Sequence, residues 1–306
     1  LTVFDRNSRF VADADASAAS AAATLQAPDR LRAGAALVTL IRPQRGWRGI
    51  DARELWRCRE LLYFLVWRDI KVRYKQTVIG AAWAIIQPVC TMIIFSIIFG
   101  KFAKIPSEGL PYPVFVYAGL LPWLFFANSV TQSSLSLVNQ SHLLTKVYFP
   151  RLFIPAASIG VGMVDWALSF CVYVGIMLWY AHLPGLSVIL LPGLLLLTAV
   201  TALGVGIFLA SVTVAYRDFR MVVPFMVQVW LYLSPVVYPV TIVPEAYRWT
   251  MALNPMTGII EGFRSVLLNR PLDWGALGVS AIIALILLVI GVYNFRRAER
   301  RFADIA

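Results

Sequence analysis

The sequence predicts an all-α integral membrane protein with six transmembrane helices, and three observations carry that expectation. The 306-residue chain is 59% hydrophobic and only 14% charged, with a mean hydropathy of +0.73, whereas soluble domains are about half apolar and about a quarter charged. Six windows are long and apolar enough for a helix to cross a hydrocarbon core roughly 30 Å thick. Lysine and arginine gather at alternate ends of those windows, the bias that sets orientation in a bilayer. That placement, rather than nucleic-acid binding, accounts for the net charge of +11. No series of alternating ten-residue segments appears, which argues against a transmembrane β-barrel.

The elements follow in chain order. Residues 1–52 include the Ala/Ser-rich stretch "ADADASAASAAATLQAP" and lack the apolar core of a signal peptide. They are expected to form a disordered cytosolic extension. Residues 53–77 place Arg53, Arg57, Glu60, Arg68, Lys71 and Lys75 on one helical face, and Leu55, Cys58, Leu62, Leu65 and Val66 on another. Rich in Arg and Trp and directly followed by a span, this segment predicts an amphipathic helix in the cytosolic interface.

The transmembrane domain is expected over residues 78–298, with spans at Val78–Phe99, Val114–Val138, Phe153–Tyr180, Val188–Ala215, Met221–Val240 and Gly275–Phe295, before a basic cytosolic tail at 299–306. Gly204 and Gly206 predict close helix packing by the fourth span. Between spans five and six, Thr241 to Trp274 carries helical spacing in two pieces parted at Asn254-Pro255. Each is too short to cross, so two external re-entrant helices are expected there.

Orientation follows from the charges. One side holds Arg68, Lys71, Arg73, Lys75, Lys146, Arg151, Arg217, Arg220, Arg296, Arg297, Arg300 and Arg301. The other has Lys101, Lys104, Arg248, Arg264 and Arg270, diluted by Glu108, Glu245, Glu261 and Asp273. The richer side is expected to be cytosolic, with both termini on it.

Motifs for chemistry are missing. Cys58, Cys90 and Cys171 are scattered and form no CxxC pair, so neither a disulfide framework nor a zinc site is expected. There is no GxxxxGK[ST] phosphate loop, no HExxH and no GxSxG. His142 and His182 stand alone near span ends, where an interfacial hydrogen bond is expected. No catalytic residue, metal site or bound cofactor is assigned to this chain.

Charge inside a span is costly, about 2.5–3.5 kcal/mol at the centre on insertion scales, which singles out Asp165. A lone carboxylate is too little for a proton relay, and a hydrogen bond across a helix interface is the expected role. Aromatic residues crowd the spans. A headgroup belt accounts for most of them, while Trp123, Phe126, Trp166, Tyr173, Trp230 and Tyr232 are candidates for a lining on which sugar rings stack. Arg68, Lys71, Arg73, Tyr74 and Lys75 form a basic cytosolic mouth suited to an anionic lipid headgroup.

Four stretches carry a family resemblance. "RDIKVRYKQTVIGAAWAIIQP" (Arg68 to Pro88), "LLTKVYFPRLFIP" (Leu143 to Pro155), "GVGIFLASVTVAYRD" (Gly204 to Asp218) and "SPVVYPVTIVPEAYRWTMALNPMTGIIEGFR" (Ser234 to Arg264) together resemble the permease subunit of ABC-2 type polysaccharide exporters. The likeness covers about residues 55–300; it is closest to the O-antigen channel and extends to the teichoic-acid permease.

The resemblance implies a bacterial inner-membrane homodimer docked to two copies of a separate ATPase subunit, which would hold ATP and Mg. The missing phosphate loop fits that arrangement. It also implies a lipid-linked polysaccharide as substrate, with its path at the dimer interface.

At Gln140 to Arg151 the resemblance places a helix engaging the ATPase, with Leu143, Leu144, Lys146, Val147, Tyr148, Phe149 and Arg151 as contacts. Pro150 would stop that helix and re-aim the chain into span three. The resemblance places an external gate at Pro244 to Leu268, with Pro244, Tyr247, Trp249, Asn254, Pro255, Glu261 and Arg264. Export of a small lipophilic drug or lipid, and a membrane-embedded glycan enzyme, are the alternative readings of the same chain.

Overall fold

The computed structural model describes residues 56–75, 78–107, 109–140, 149–182 and 184–305. The expected extension at 1–52, together with Arg53 and Leu55, lies outside them. Among the described residues every regular element is helical: α1 (Arg59–Lys75), α2 (Val78–Phe95), α3 (Tyr112–Asn139), α4 (Phe153–Trp179), α5 (Leu191–Ala215), α6 (Phe219–Leu233), α7 (Glu245–Ala252), α8 (Pro255–Leu267) and α9 (Trp274–Ile305). A π-helical turn, Ser96–Phe102, prolongs α2, and a 3₁₀ turn, Leu186–Leu190, precedes α5.

The buried axis of the bundle is α3. Val114, Val116, Tyr117, Leu120, Phe126 and Val130 have no accessible surface, and α2, α4, α5, α6 and α8 all pack against this helix. Close approach at α5 depends on its glycines. A Cβ on Gly204 would lie 2.6 Å from the backbone nitrogen of Leu288 in α9, and one on Gly206 would lie 2.6 Å from Ser133 Oγ in α3. Small residues let helix backbones meet where lipid offers no hydrophobic drive to associate. By contrast α9 turns Ile282, Leu285, Ile286, Val289 and Ile290 outward, an apolar surface suited to lipid.

Among the described residues, five helical segments are long and apolar enough to cross a membrane: Ala82–Phe102, Tyr112–Asn139, Phe153–Trp179, Leu186–Ala215 and Trp274–Glu299. The expected span Met221–Val240 departs from this. Its helix, α6, has 15 residues, or about 22 Å at 1.5 Å per residue, short of a bilayer core. The helix stops because Ser234 precedes Pro235, and a residue before proline is pushed out of the α region; Ser234 is extended, with ψ at 145°. The two short helices expected between Thr241 and Trp274 form as α7 and α8, parted at Asn254-Pro255.

The expected two-faced helix before span one also proves different. In α1, Leu65 is buried against Phe153 and Ala157 of α4, with Cys58, Leu61, Leu62 and Val66 beside it. Yet Trp56, Tyr63, Phe64 and Trp67 are exposed, so the segment carries apolar residues on two sides. One side is held by protein. The other presents aromatic rings next to Arg59 and Lys71, whose cationic groups lie 4.7 Å and 5.2 Å from the ring centroids of Trp56 and Trp67.

Candidate functional site

Three places in the fold gather the residues singled out above. At the basic end, Asp165 of α4 accepts hydrogen bonds from two residues of α1: Arg73 Nη1, at 2.6 Å, and the Tyr74 hydroxyl. The carboxylate is only 13% exposed. Its cost inside an apolar helix is therefore offset by a charge-assisted pair and a second donor, which makes it the cross-helix hydrogen-bonding group that was expected. Burial, followed by the bond to Asp165, raises the Tyr74 pKa above its ordinary value.

The same pairing changes the proposed mouth. Arg73 and Tyr74 are committed to Asp165, and Arg68 donates to Asp69 Oδ1 at 2.7 Å and to Gln140 Oε1 at 2.8 Å. Of the five residues, Lys71 and Lys75 are exposed.

Residues Leu143, Leu144, Lys146, Val147 and Tyr148 lie outside the described residues, as does His142. Both flanks of that segment are anchored, however. Gln140, at the end of α3, is tied to Arg68 of α1. After the segment, Phe149 packs on the Leu65 cluster and on the Leu137 cluster, and Arg151 Nη1 donates to the Glu299 carbonyl of α9 at 3.2 Å.

At the opposite end the expected gate divides in two. In α7, Tyr247 and Trp249 are exposed and no residue is buried. In α8 nearly every residue is buried, Arg264 included at 2% exposure. Arg264 donates to the Val236 carbonyl at 2.6 Å, to the Tyr238 carbonyl at 3.2 Å and to Glu261 at 2.9 Å. Its guanidinium carbon stands 3.9 Å from the centroid of the Phe115 ring. Tyr112 supplies a further donor, to the Val237 carbonyl at 2.6 Å.

Three consecutive carbonyls of the non-helical stretch after α6 are thus satisfied by side chains. This is the condition under which irregular backbone can sit at membrane depth. Gly119 makes room: a Cβ there would lie 2.9 Å from both Arg264 Nη2 and the Val236 carbonyl oxygen. Burial lowers the Arg264 pKa, and Glu261 acts against that shift.

Asn254 joins the pieces. Its Oδ1 accepts from the Met256 backbone N–H at 3.0 Å and caps α8. The same oxygen accepts from Trp230 Nε1 at 3.1 Å, and Nδ2 donates to Ser234 Oγ at 2.8 Å. Next to it a groove of about 580 Å³ is lined by Trp230, Tyr232, Tyr238, Thr250 and Asn254, among others.

The aromatic candidates separate accordingly. Trp123, Phe126 and Tyr173 are in the core: Tyr173 stacks on Tyr117 at 5.7 Å, and Phe126 meets Trp230 edge to face at 5.2 Å. The faces of these three are taken by protein in a single copy of the chain. Trp166, Trp230 and Tyr232 stay partly open. Asp69, Phe115 and Tyr112 complete these clusters and were not singled out from the sequence, where nothing marks them; Gln140 entered there only as the first residue of the expected ATPase-engaging helix.

Among the described residues no group of three His, Cys, Asp or Glu side chains could hold a metal ion, and Cys58, Cys90 and Cys171 are free thiols.

Comparison with known proteins places this architecture. The family model described as ABC-2 type transporter matches residues 60–268. The O-antigen export system permease protein RfbA of Myxococcus xanthus is 29% identical over 256 residues, 82% of this chain and 97% of the relative. The protein of the same name from Klebsiella pneumoniae is 27% identical over 247 residues, 80% of this chain and 95% of the relative. The polysialic acid transport protein KpsM of Escherichia coli is 24% identical over 239 residues, 76% of this chain and 91% of the relative.

Proposed function

The chain belongs to the ABC-2 type transporter family, and on that premise we propose that it is the membrane subunit of an exporter moving lipid-linked polysaccharide out of the cytosol. The observation that carries this reading is the end-to-end match to relatives named for O-antigen export and polysialic acid transport, over at least 76% of this chain and 91% of each relative. The absence of a phosphate loop from the sequence fits hydrolysis of Mg-bound ATP on a separate subunit.

In this reading two copies of the chain pair in the bacterial cytoplasmic membrane with two ATPase subunits. Each copy crosses six times, with α6 and the non-helical stretch after it making the fifth crossing, and both ends are cytosolic. The segment at Leu143–Phe149 and Arg151 meets the ATPase. A coupling contact must be stiff and differ in stability between states. The anchors at Gln140, Phe149 and Arg151, to α1 and α9, supply stiffness from two directions. Residues Pro244–Leu268 close the outer end.

The test is depletion of this chain in a strain that makes a surface polysaccharide. The polymer should accumulate in the cytosol and vanish from the surface, and export should return when the chain is restored in cells that have its ATPase but not in cells that lack it. Normal surface polymer after depletion would refute the reading.

A further inference from the structure

Between α2, α3 and α4 lies a cavity of about 320 Å³ whose lining includes Trp83, Gln87, Asn128, Asp165 and Trp166, with Arg73 at its margin. It is large enough for a small-molecule site, which usually spans about 300–1,000 Å³. Its position matters first. Asp165 falls near the middle of α4, Ser169 one turn on reaches across to the Ala84 carbonyl of α2, and Trp83 is 56% exposed. The cavity is therefore a partly polar recess between three helices with one open side.

The chemistry of the lining is selective. Gln87 and Asn128 each bring both donors and acceptors, and Asp165 keeps acceptor capacity beyond the two bonds it takes from α1. Trp166 stacks on Phe170 with ring centroids 5.1 Å apart, which fixes the indole.

An anion would meet the Asp165 carboxylate. A hydrocarbon chain would leave the two carboxamides unmatched. A neighbouring groove of about 490 Å³ is the apolar contrast, with Met92, Ile97, Val172, Ile176 and Trp179 among its lining residues. What the first cavity matches is a compact ring with an apolar face for Trp83 and a rim of hydroxyls, each both donor and acceptor.

We propose that this recess is a binding subsite for one pyranose ring of the exported glycan, with Trp83 as its stacking platform and Gln87, Asn128 and Asp165 as its hydrogen-bonding rim. The inference rests on the polysaccharide-export reading above and adds where, within a single copy of the chain, the sugar is held.

The test uses the full permease–ATPase assembly in cells that export their own polymer, which serves as the probe. A benzophenone amino acid replaces Trp83, Asn128 or, as a control, Ile290 on the outer face of α9. After irradiation and denaturing purification, glycan on the chain is read by periodate–hydrazide staining, which responds to sugars of any composition carrying vicinal diols. Adducts bearing glycan are expected from positions 83 and 128 and not from 290. Lipid adducts without glycan, or equal labelling at all three positions, would overturn the subsite.

A second readout does not depend on those replacements. Trp83→Ala should slow export about two- to tenfold, as expected for loss of one aromatic stacking contact, while Trp83→Phe should retain most of it. Equal export by Trp83→Ala and wild type overturns the proposal. Were wild-type cells to export no polymer through this chain, the export reading would fall and the subsite with it, whereas export without labelling removes the subsite alone.

Discussion

Arg264 offers the sharpest test of how the end of the molecule around α8 is held. Replacing it by Met keeps most of the side-chain volume and removes every donor. The Val236 and Tyr238 carbonyls, now bonded at 2.6 Å and 3.2 Å, would each lose that donor, at roughly 1–3 kcal/mol per buried acceptor. Contact with the Phe115 ring and the pairing with Glu261 are lost as well, while the desolvation cost of a buried charge is recovered. The net destabilisation should be about 3–5 kcal/mol, the range seen when one partner of a buried pair is removed.

Two companion variants separate carbonyl capture from ion pairing. Arg264→Lys keeps the charge but lacks the planar fork that reaches two carbonyls at once, and should cost about 1–3 kcal/mol. Glu261 is 32% exposed, so Glu261→Gln should cost about 1 kcal/mol or less. Thermal unfolding of the purified assembly in nanodiscs measures the order, which should be Arg264→Met, then Arg264→Lys, then Glu261→Gln. If Glu261→Gln proves as damaging as Arg264→Met, the carbonyls are not what Arg264 serves, and the account of the broken sixth helix fails.

Three other outcomes follow from the same geometry. Asp165→Asn weakens the bonds to Arg73 and Tyr74 and should destabilise the assembly by about 1–3 kcal/mol; in a cycle with Arg73→Gln the double variant should lose less than the sum of the singles, and strict additivity would show that the pair is not coupled. Gly204→Leu must push α5 away from the Leu288 backbone, so the chain should reach the membrane in reduced yield or aggregate on extraction, as gel filtration would report; a monodisperse, wild-type profile would contradict the packing. Ala at both Tyr148 and Phe149 should leave the permease in the membrane but loosen co-purification with its ATPase or uncouple hydrolysis from export; normal assembly and export would exclude these aromatics as the coupling contact.

Much of this architecture is legible in the sequence because hydropathy is a local property. A window of apolar residues announces a crossing whatever it packs against, which is why α2 to α5 stand near their expected limits; α9 starts where expected but runs on through the basic tail to Ile305. The end of α6 is written in Ser234-Pro235, though the apolar residues after it mask the break. Side-chain pairing is another matter. Arg73 and Tyr74 were assigned to the mouth and Asp165 to a helix interface, and only the fold shows that these are one cluster spanning 92 residues of chain. The aromatics were the hardest to divide. A helix apolar on all sides gives no moment to orient it, and a side facing lipid reads in sequence like a side facing protein. Trp123 and Phe126 therefore looked no different from Trp166.

The division between α7 and α8 constrains how a path could open there. Motion is drawn from the parts of a fold with few buried contacts, and α7 has no buried residue while α8 is core on nearly all sides. Opening by a swing of α8 would have to strip donors from the Val236 and Tyr238 carbonyls and withdraw Met256, Ile259, Ile260 and Phe263, all without accessible surface. Opening by α7 breaks far less. The hinge then falls at Leu253-Asn254, since Asn254 is fixed to α8 by its cap and to α6 through Trp230 and Ser234. Hydrogen exchange on the intact assembly decides between them: amides of α7 should exchange well ahead of those in α8, and Asn254→Ala, which removes a cap worth about 0.5–2 kcal/mol, should speed exchange in the first turn of α8. Comparable rates in the two wild-type helices would mean that α8 moves too, and that Arg264 releases its carbonyls during the cycle.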